Sequence, residues 1–146
     1  MNTTVFLTVM SGVVTYVLGQ LVLKLAIEPV QEMRKTIAII SHSLIEHANI
    51  IQNPGVPPQE VMKETSQHLR RLSSQLHSHL YLVPCFTLTS WLFCLPTRAN
   101  VLDASTALIG LSNSLYRAKD RIYEQNARRV EKVCDALGIY LAEEDR

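Results

Sequence analysis

The stretch that decides the fold is "TTVFLTVMSGVVTYVLGQLVLKLAIEPV", residues 3–30. Its first charged residue is Lys24, and the apolar run continues to Ile27. At about 1.5 Å per residue, a helix of this length crosses the roughly 30 Å hydrocarbon core of a bilayer. A cleaved signal peptide is the alternative, but no positive region precedes the run and no small-residue cleavage site closes it. The sequence therefore predicts a transmembrane helix over residues 1–28.

Charged residues on either side of this segment predict its orientation. Only "MNTT" precedes the apolar run, without a side-chain charge, whereas Lys24, Arg34 and Lys35 follow it. Because basic residues are retained on the cytoplasmic side, the N-terminus is expected outside and residues 29–146 in the cytoplasm. Lys24 is expected to extend its methylene chain so that the ammonium group reaches the inner membrane interface.

Small and polar residues follow one side of the predicted span. They recur every three or four positions, which aligns them along a helix. They are Thr8, Ser11, Gly12, Thr15 and Gly19. The pattern Ser11-x-x-x-Thr15-x-x-x-Gly19 lets two helix backbones approach closely in lipid, and Gln20 adds an amide near this side that requires a partner in hydrocarbon. We therefore predict that the span self-associates; a lone anchor that tolerates small residues is the alternative.

The chain after the span has the periodicity of helices with one buried side. Apolar residues recur there at intervals of three and four. The segments with this pattern are residues 30–51, 61–83, 101–115 and 122–137. The pattern includes Val61, Leu102 and Tyr123 among the residues expected to face the core.

Breakers divide these segments into separate helices. "NPGVPP" at residues 53–58 and Pro84 interrupt the apolar pattern, and such residues end helices. The predicted fold is all-α, with one N-terminal transmembrane helix followed by a cytoplasmic bundle of three to four helices over residues 29–146. Gly138 is expected to end the last helix, before a frayed tail at residues 142–146.

Composition limits the classes of protein to which the chain can belong. Of its 146 residues, 47% are hydrophobic and 18% are charged, which suffices for a buried core and excludes a disordered chain. The formal net charge of +1 gives no strong signal for nucleic-acid binding. Cys85, Cys94 and Cys134 form no C-x-x-C pair, and their odd number favours a reduced, cytosolic domain.

An aromatic segment is predicted to lie near the membrane surface. If the turn at residues 53–58 makes two helices antiparallel, the second of them returns the chain to the membrane and delivers "CFTLTSWLFCLP", residues 85–96. Aromatic side chains are favoured at the membrane interface, which predicts membrane contacts for Phe86, Trp91 and Phe93. The alternative is that these rings close the base of the helical core, and both interpretations can hold together.

The stretch "RRLSSQLH", residues 70–77, contains the candidate catalytic residues. Arg70 and His77 are seven residues apart and share one face of a helix. A histidine can move the 2′-hydroxyl proton of RNA, and an arginine can neutralise the charge of the phosphorane. The alternative is a solvated helix face, because composition alone produces such a pair by chance. No carboxylate or cysteine completes a metal-binding set with the histidines, so neither a metal nor a cofactor is predicted.

The layout of a span, a proline just inside it and a small helical domain resembles a set of short bacterial inner-membrane proteins. Among characterised proteins, it resembles the HEPN-like accessory proteins of type VI CRISPR systems. The residues that carry this resemblance are "SGVVTYVLG", residues 11–19, for assembly, and Arg70 with His77 for the HEPN signature. The resemblance implies a ring of protomers with a membrane pore, a role in antiphage defence, and an RNA effector complex as a partner.

Three hypotheses about function follow. The first is a self-assembling inner-membrane protein, either a pore-forming or an assembly accessory factor, whose partners are copies of itself and the lipid bilayer. The second is a membrane-tethered HEPN-type ribonuclease that uses Arg70 and His77. The third is a scaffold without catalytic activity that binds a cytoplasmic protein near Arg128 and Arg129. The sequence leaves enzymatic activity open and favours its absence.

Overall fold

The chain is helical in the computed structural model, which describes residues 2–116 and 121–141. Over these ranges it forms no β-strand. The helical segments are α1 (Asn2–Val22), a π-helical turn (Leu23–Ile27), α2 (Glu28–Glu46), α3 (Ala48–Gln52), α4 (Gln59–Leu82), α5 (Phe86–Leu92), α6 (Arg98–Ser114) and α7 (Ile122–Leu137). The prediction of an all-α chain with a long apolar N-terminal helix is confirmed, and the predicted frayed tail at 142–146 lies outside the described residues.

The π-helical turn joins α1 and α2 into one continuous helix of 44 residues, Thr3–Glu46. Pro29 has no N–H to donate, and its ring crowds the carbonyl four residues earlier, that of Leu25. In the turn before it, the Glu28 N–H donates to the carbonyl of Leu23, five residues back. This wider turn takes up the missing hydrogen bond without ending the helix.

The helices α2, α4, α6 and α7 form an antiparallel bundle. In each neighbouring pair, a later residue of one helix contacts an earlier residue of the other. These contacts are Thr36–His79 and Ser43–His68 between α2 and α4, Ser66–Ser112 and Ser73–Ser105 between α4 and α6, and Asp103–Lys132 and Ser114–Asn126 between α6 and α7. The chain therefore runs up, down, up and down. The end of α4 and the start of α6 lie at the same end of the bundle as the start of α2.

The core follows the predicted apolar pattern, with three exceptions. Val61, Leu102 and Tyr123 are exposed. On α4, Met62 is buried instead of Val61, because Met62 is seven residues before the buried Leu69 and shares its face. Leu102 and Tyr123 each follow a buried residue directly, so the helix turns them about 100° away from the core. The buried hydrophobic residues of the bundle include Met33, Ile40, Leu44, Leu69, Leu72, Leu76, Val101, Leu108, Leu111 and Val133.

A buried asparagine joins three elements at the end of the bundle away from α1. Asn126 is fully buried; its Nδ2 donates to the carbonyl of Ile51 at 2.8 Å, and its Oδ1 accepts from the Ser114 hydroxyl at 2.6 Å. These bonds connect α3, the end of α6 and the start of α7. A hydrophobic side chain at this position would leave the Ile51 carbonyl without this partner.

We therefore expect Asn126→Ala to destabilise the bundle by about 1–3 kcal/mol for each buried group that loses its partner. Thermal unfolding of the full chain in detergent, followed by circular dichroism, measures the change. The control is Gln125→Ala, because Gln125 is the exposed neighbour on the same helix. Equal unfolding temperatures for the two variants would contradict this role of Asn126.

Candidate functional site

The first candidate site is the surface of α1. Every side chain from Thr3 to Gly19 is exposed, and the helix is long and apolar enough to cross a membrane. The rest of the chain behaves differently, because α2, α4, α6 and α7 bury their apolar stripes against one another. The apolar surface of α1 therefore has no partner among the described residues of this chain.

The small residues of α1 form a narrow stripe, and Gln20 lies outside it. Thr8, Ser11, Gly12, Thr15 and Gly19 fall within an arc of about 100° at 100° per residue. Gln20 lies about 130° from the middle of that arc, so the regular helix places its amide on a different side from the one expected. The hydroxyl of Thr8 donates to the Thr4 carbonyl at 2.9 Å and that of Ser11 to the Thr8 carbonyl at 2.8 Å.

The space beside both glycines of the stripe is unoccupied by the described residues. A Cβ added to Gly12 or Gly19 would meet nothing within 4 Å in the single chain. The glycines therefore make no packing contact with another described part of the chain, and the shallow surface they form is available to a neighbouring helix.

The second candidate site is a groove between α4 and α6 that contains both predicted catalytic residues. The groove has a volume of about 690 Å³ and is lined by Arg70 and His77 with the hydroxyl-bearing Ser74, Ser105 and Thr106. The Ser105 hydroxyl is buried and has no hydrogen-bond partner among the residues that the structure describes. The structure thus places Arg70 and His77 on one surface, as the helical spacing predicts.

Within the groove, Arg70 is already engaged. Its Nε donates to the Ser112 hydroxyl at 2.8 Å, and its Nη2 donates to Oδ1 of Asn113. His77 is partly buried, and its ring lies 5.8 Å from the ring of Tyr81. The guanidinium is therefore directed toward the end of α6, and its hydrogen bonds have a structural role between α4 and α6.

The predicted membrane-interface residues divide into two groups. Phe86 is buried and Phe93 is partly buried against the core, as expected for rings that close the base of the bundle. Trp91 is 78% exposed, and Lys24 is also exposed. Of these four predicted residues, Trp91 and Lys24 are therefore the two whose side chains are free to contact a membrane.

Arg128 and Arg129, where a protein partner was expected, differ in environment. Arg128 lines a groove of about 650 Å³ between α7 and the end of α2 with α3, together with Leu44, Ile51 and Cys134. Arg129 lies across α6, where a Cβ added to Gly110 would be 2.8 Å from the arginine Nε. Arg129 therefore belongs to the packing of α6 against α7, while Arg128 remains at the surface.

Two histidines that the sequence did not single out hold α2 against α4. The Thr36 hydroxyl donates its single hydrogen to the Glu32 carbonyl at 3.0 Å, so it accepts from Nε2 of His79 at 2.9 Å. In the neutral ring this bond leaves Nδ1 of His79 unprotonated, and that nitrogen is buried without a partner in residues 2–116 and 121–141. Near the other end of α2, Nε2 of His68 lies 2.8 Å from the Ser43 hydroxyl. In the sequence, the contacts of His68 and His79 with α2 were indicated only by the position of each histidine next to the apolar stripe of α4.

Burial sets the charge state of these histidines. Desolvation lowers the pKa of His79, and the charge of Glu32 opposes this shift. Desolvation also lowers the pKa of His68, with the charges of His47 and Arg71 adding to it and that of Glu46 opposing it. Both rings are therefore neutral in the folded chain at neutral pH.

No site with metal chemistry emerges from the geometry. In the two described ranges, no three His, Cys, Asp or Glu side chains lie together in a way that would hold a metal ion. Comparison with protein-family models, curated proteins and solved structures finds no match to this chain. The exposed surface of α1 and the two grooves are therefore the features of the molecule that bear on its function.

Stability is expected to fall as the pH is lowered from about 7.5 to about 5.5. The folded pKa values of His68 and His79 lie below the ordinary 6.5, so the unfolded chain binds more protons below that pH and the folded state is penalised. Unfolding temperatures across this range measure the effect. His79→Gln, whose amide nitrogen can replace Nε2, should flatten the dependence. Gln67→Ala, at an exposed and uncharged site on the same helix, should leave it unchanged. An unaltered slope in His79→Gln would contradict the assignment.

Proposed function

We propose that this chain is a single-pass membrane protein that acts by assembling with copies of itself. In this proposal, α1 spans the membrane with the N-terminus outside, and the bundle of α2, α4, α6 and α7 is held at the cytoplasmic face. One observation carries it: α1 is long and apolar enough to cross a membrane and is exposed from Thr3 to Gly19, although α2, α4, α6 and α7 bury their apolar stripes. In water such a surface is costly, whereas in hydrocarbon it is favourable.

The small-residue stripe supports assembly within the membrane. Lipid gives no hydrophobic driving force between helices, so association depends on close backbone contact at small residues. Gly12 and Gly19 supply that surface, and none of the described residues covers it. Because the spacing of these glycines is two helical turns, a second α1 could pack along the stripe over most of the span.

The hydroxyl groups favour a packed seam over a wet pore. Thr8 and Ser11 donate to carbonyls of their own helix, so the stripe can lie against another helix without water. A pore in antiphage defence, as the resemblance to accessory proteins of type VI CRISPR systems implies, would require a closed ring of protomers with this stripe turned to the lumen. The two arrangements differ in stoichiometry.

Replacing both Gly12 and Gly19 by Leu is expected to reduce the detergent- or nanodisc-held particle to a single chain. The added side chains would hold neighbouring backbones apart. Light scattering measures the mass of the particle, and imaging its symmetry separates a dimer from a ring. The control is Met10→Leu with Val17→Leu, which has the same spacing on the opposite side of α1.

Two results would contradict the assembly proposal. One is a particle of unchanged mass in the Gly12→Leu, Gly19→Leu variant, and the other is a monomeric wild-type chain. A monomer would favour the scaffold hypothesis instead, with the groove beside Arg128 as the place to look for a cytoplasmic partner.

A membrane-tethered ribonuclease is the second candidate function, because Arg70 and His77 line one groove. This hypothesis predicts metal-independent cleavage of RNA by the purified chain and a rate about 10²–10⁴-fold lower after His77→Ala. Arg70→Ala would also lower the unfolding temperature, because Arg70 bonds to Ser112 and Asn113. His77→Ala is therefore the decisive variant, and Arg71→Ala is its control. Equal cleavage rates in the wild type, in His77→Ala and in Arg71→Ala would exclude the ribonuclease hypothesis.

A further inference from the structure

We infer that the outer face of α5 rests on the anionic lipid surface of the membrane that α1 spans. This docking face consists of Leu88, Trp91 and Leu92 on α5, with Tyr81 and Leu82 at the end of α4. The inference rests on the proposed membrane insertion of α1, and it assigns to the bundle a second, peripheral contact with the same bilayer.

The docking face is apolar and has no partner among the described residues. Leu88 and Leu92 are each 64% exposed, and Trp91 is 78% exposed. These positions are three and four residues apart, so they form one side of the helix. The side of α5 with Phe86, Thr89 and Ser90 is buried, and the other side still exposes three large apolar side chains. A contiguous exposed apolar surface of this kind marks a contact site.

Hydrogen bonds fix α5 in position. The Thr89 hydroxyl donates to the Pro84 carbonyl at 2.7 Å, and the Leu95 N–H donates to the Ser90 carbonyl at 2.9 Å. Cys85 and Cys94, at either end of the helix, have left-handed backbone conformations with φ of 45° and 50°. These sharp turns lead the chain into and out of α5, so its outer face is a defined surface.

The position of α5 along α2 brings this surface near the membrane. Nη2 of Arg34 donates to the carbonyl of Phe93 at 2.6 Å, which places the end of α5 beside the second turn of α2. Arg34 is seven residues beyond Ile27, the end of the apolar run, or about 10 Å along the helix axis. The polar headgroup region occupies about 5–7 Å of that distance, and a tryptophan or leucine side chain covers the remainder.

The charge of the region complements an anionic bilayer. From Thr65 to Leu102 the sequence contains no Asp or Glu. Arg98 lies over the ring of Tyr81, with its guanidinium carbon 6.0 Å from the ring centroid, and Arg34 adjoins the end of α5. Basic residues at such a distance are attracted to anionic headgroups. Exposed aromatic and aliphatic side chains beside basic ones are the composition expected of a helix that lies in the membrane interface.

Trp91 is the single tryptophan of the chain, so its fluorescence reports on the docking face directly. The full chain is reconstituted into vesicles of phosphatidylglycerol and phosphatidylcholine, with a phospholipid brominated high on the acyl chain as the quencher. We expect the brominated lipid to quench Trp91, the emission to be shifted to the blue, and quenching to weaken in phosphatidylcholine alone. Equal quenching in both kinds of vesicle would overturn the anionic part of the inference.

Matched variants test the role of the face. Leu88→Glu with Leu92→Glu should restore the emission of Trp91, because both positions are exposed and the charges oppose contact with lipid. Val56→Glu is the control, since Val56 is 80% exposed in the turn at the far end of the bundle. Quenching that persists in the Leu88→Glu, Leu92→Glu variant as strongly as in Val56→Glu would overturn the inference.

Flotation of the vesicles after alkaline washing separates this inference from the proposed function. If the wild-type chain is washed off the vesicles, both the membrane insertion of α1 and the docking of α5 are overturned. If the chain floats while acrylamide quenches Trp91 and brominated lipid does not, only the docking is overturned. If the chain floats and neither quencher reaches Trp91, a second copy covers the docking face, and contact with lipid is again overturned.

Discussion

The unbroken backbone between α1 and α2 is the constraint on which the position of every other element depends. Because the π-helical turn before Pro29 preserves the helix, the direction of α1 becomes the direction of α2. The antiparallel partners α4, α6 and α7 are then arranged around an axis that continues the apolar segment. A loop at this point would let the bundle move independently of α1. The continuous helix instead fixes the distance of the bundle from α1 along the helix axis and its rotation about that axis.

Small and hydroxyl-bearing residues let the bundle helices approach closely. Ser66 and Ser73 on α4 donate to the carbonyls of Ser112 and Ser105 on α6, seven residues apart on each helix. Between α2 and α4, neutral histidines have a comparable role, each paired with a hydroxyl group. Buried polar groups of this kind favour one register, because sliding a helix by one turn would leave them without partners. The same type of residue recurs on the exposed stripe of α1, where the partner would come from another chain.

Apolar periodicity allowed much of the bundle to be predicted, because it is a local property of the sequence. The errors arose where two neighbouring residues were both apolar, as with Val61 and Met62, and the pattern alone did not decide which one faces the core. The polar contacts were beyond prediction, because Thr36 and His79 are 43 residues apart and Arg70 and Ser112 are 42 apart. Their pairing depends on the register between helices. The engagement of Arg70 by α6 is therefore the feature of the candidate catalytic pair that helical spacing could not reveal.

In the proposed arrangement, in which α1 spans a membrane, the continuous helix of α1 and α2 would act as a lever. Membrane helices are commonly tilted by about 20°, and the tilt changes with the thickness of the bilayer. The 19 residues of α2 extend about 28 Å, so a change in tilt of that size would move the far end of the bundle sideways by about 10 Å. It would also press the α5 side of the bundle toward the lipid or lift it away. In that arrangement, the thickness of the membrane would set the tilt of the bundle at its surface.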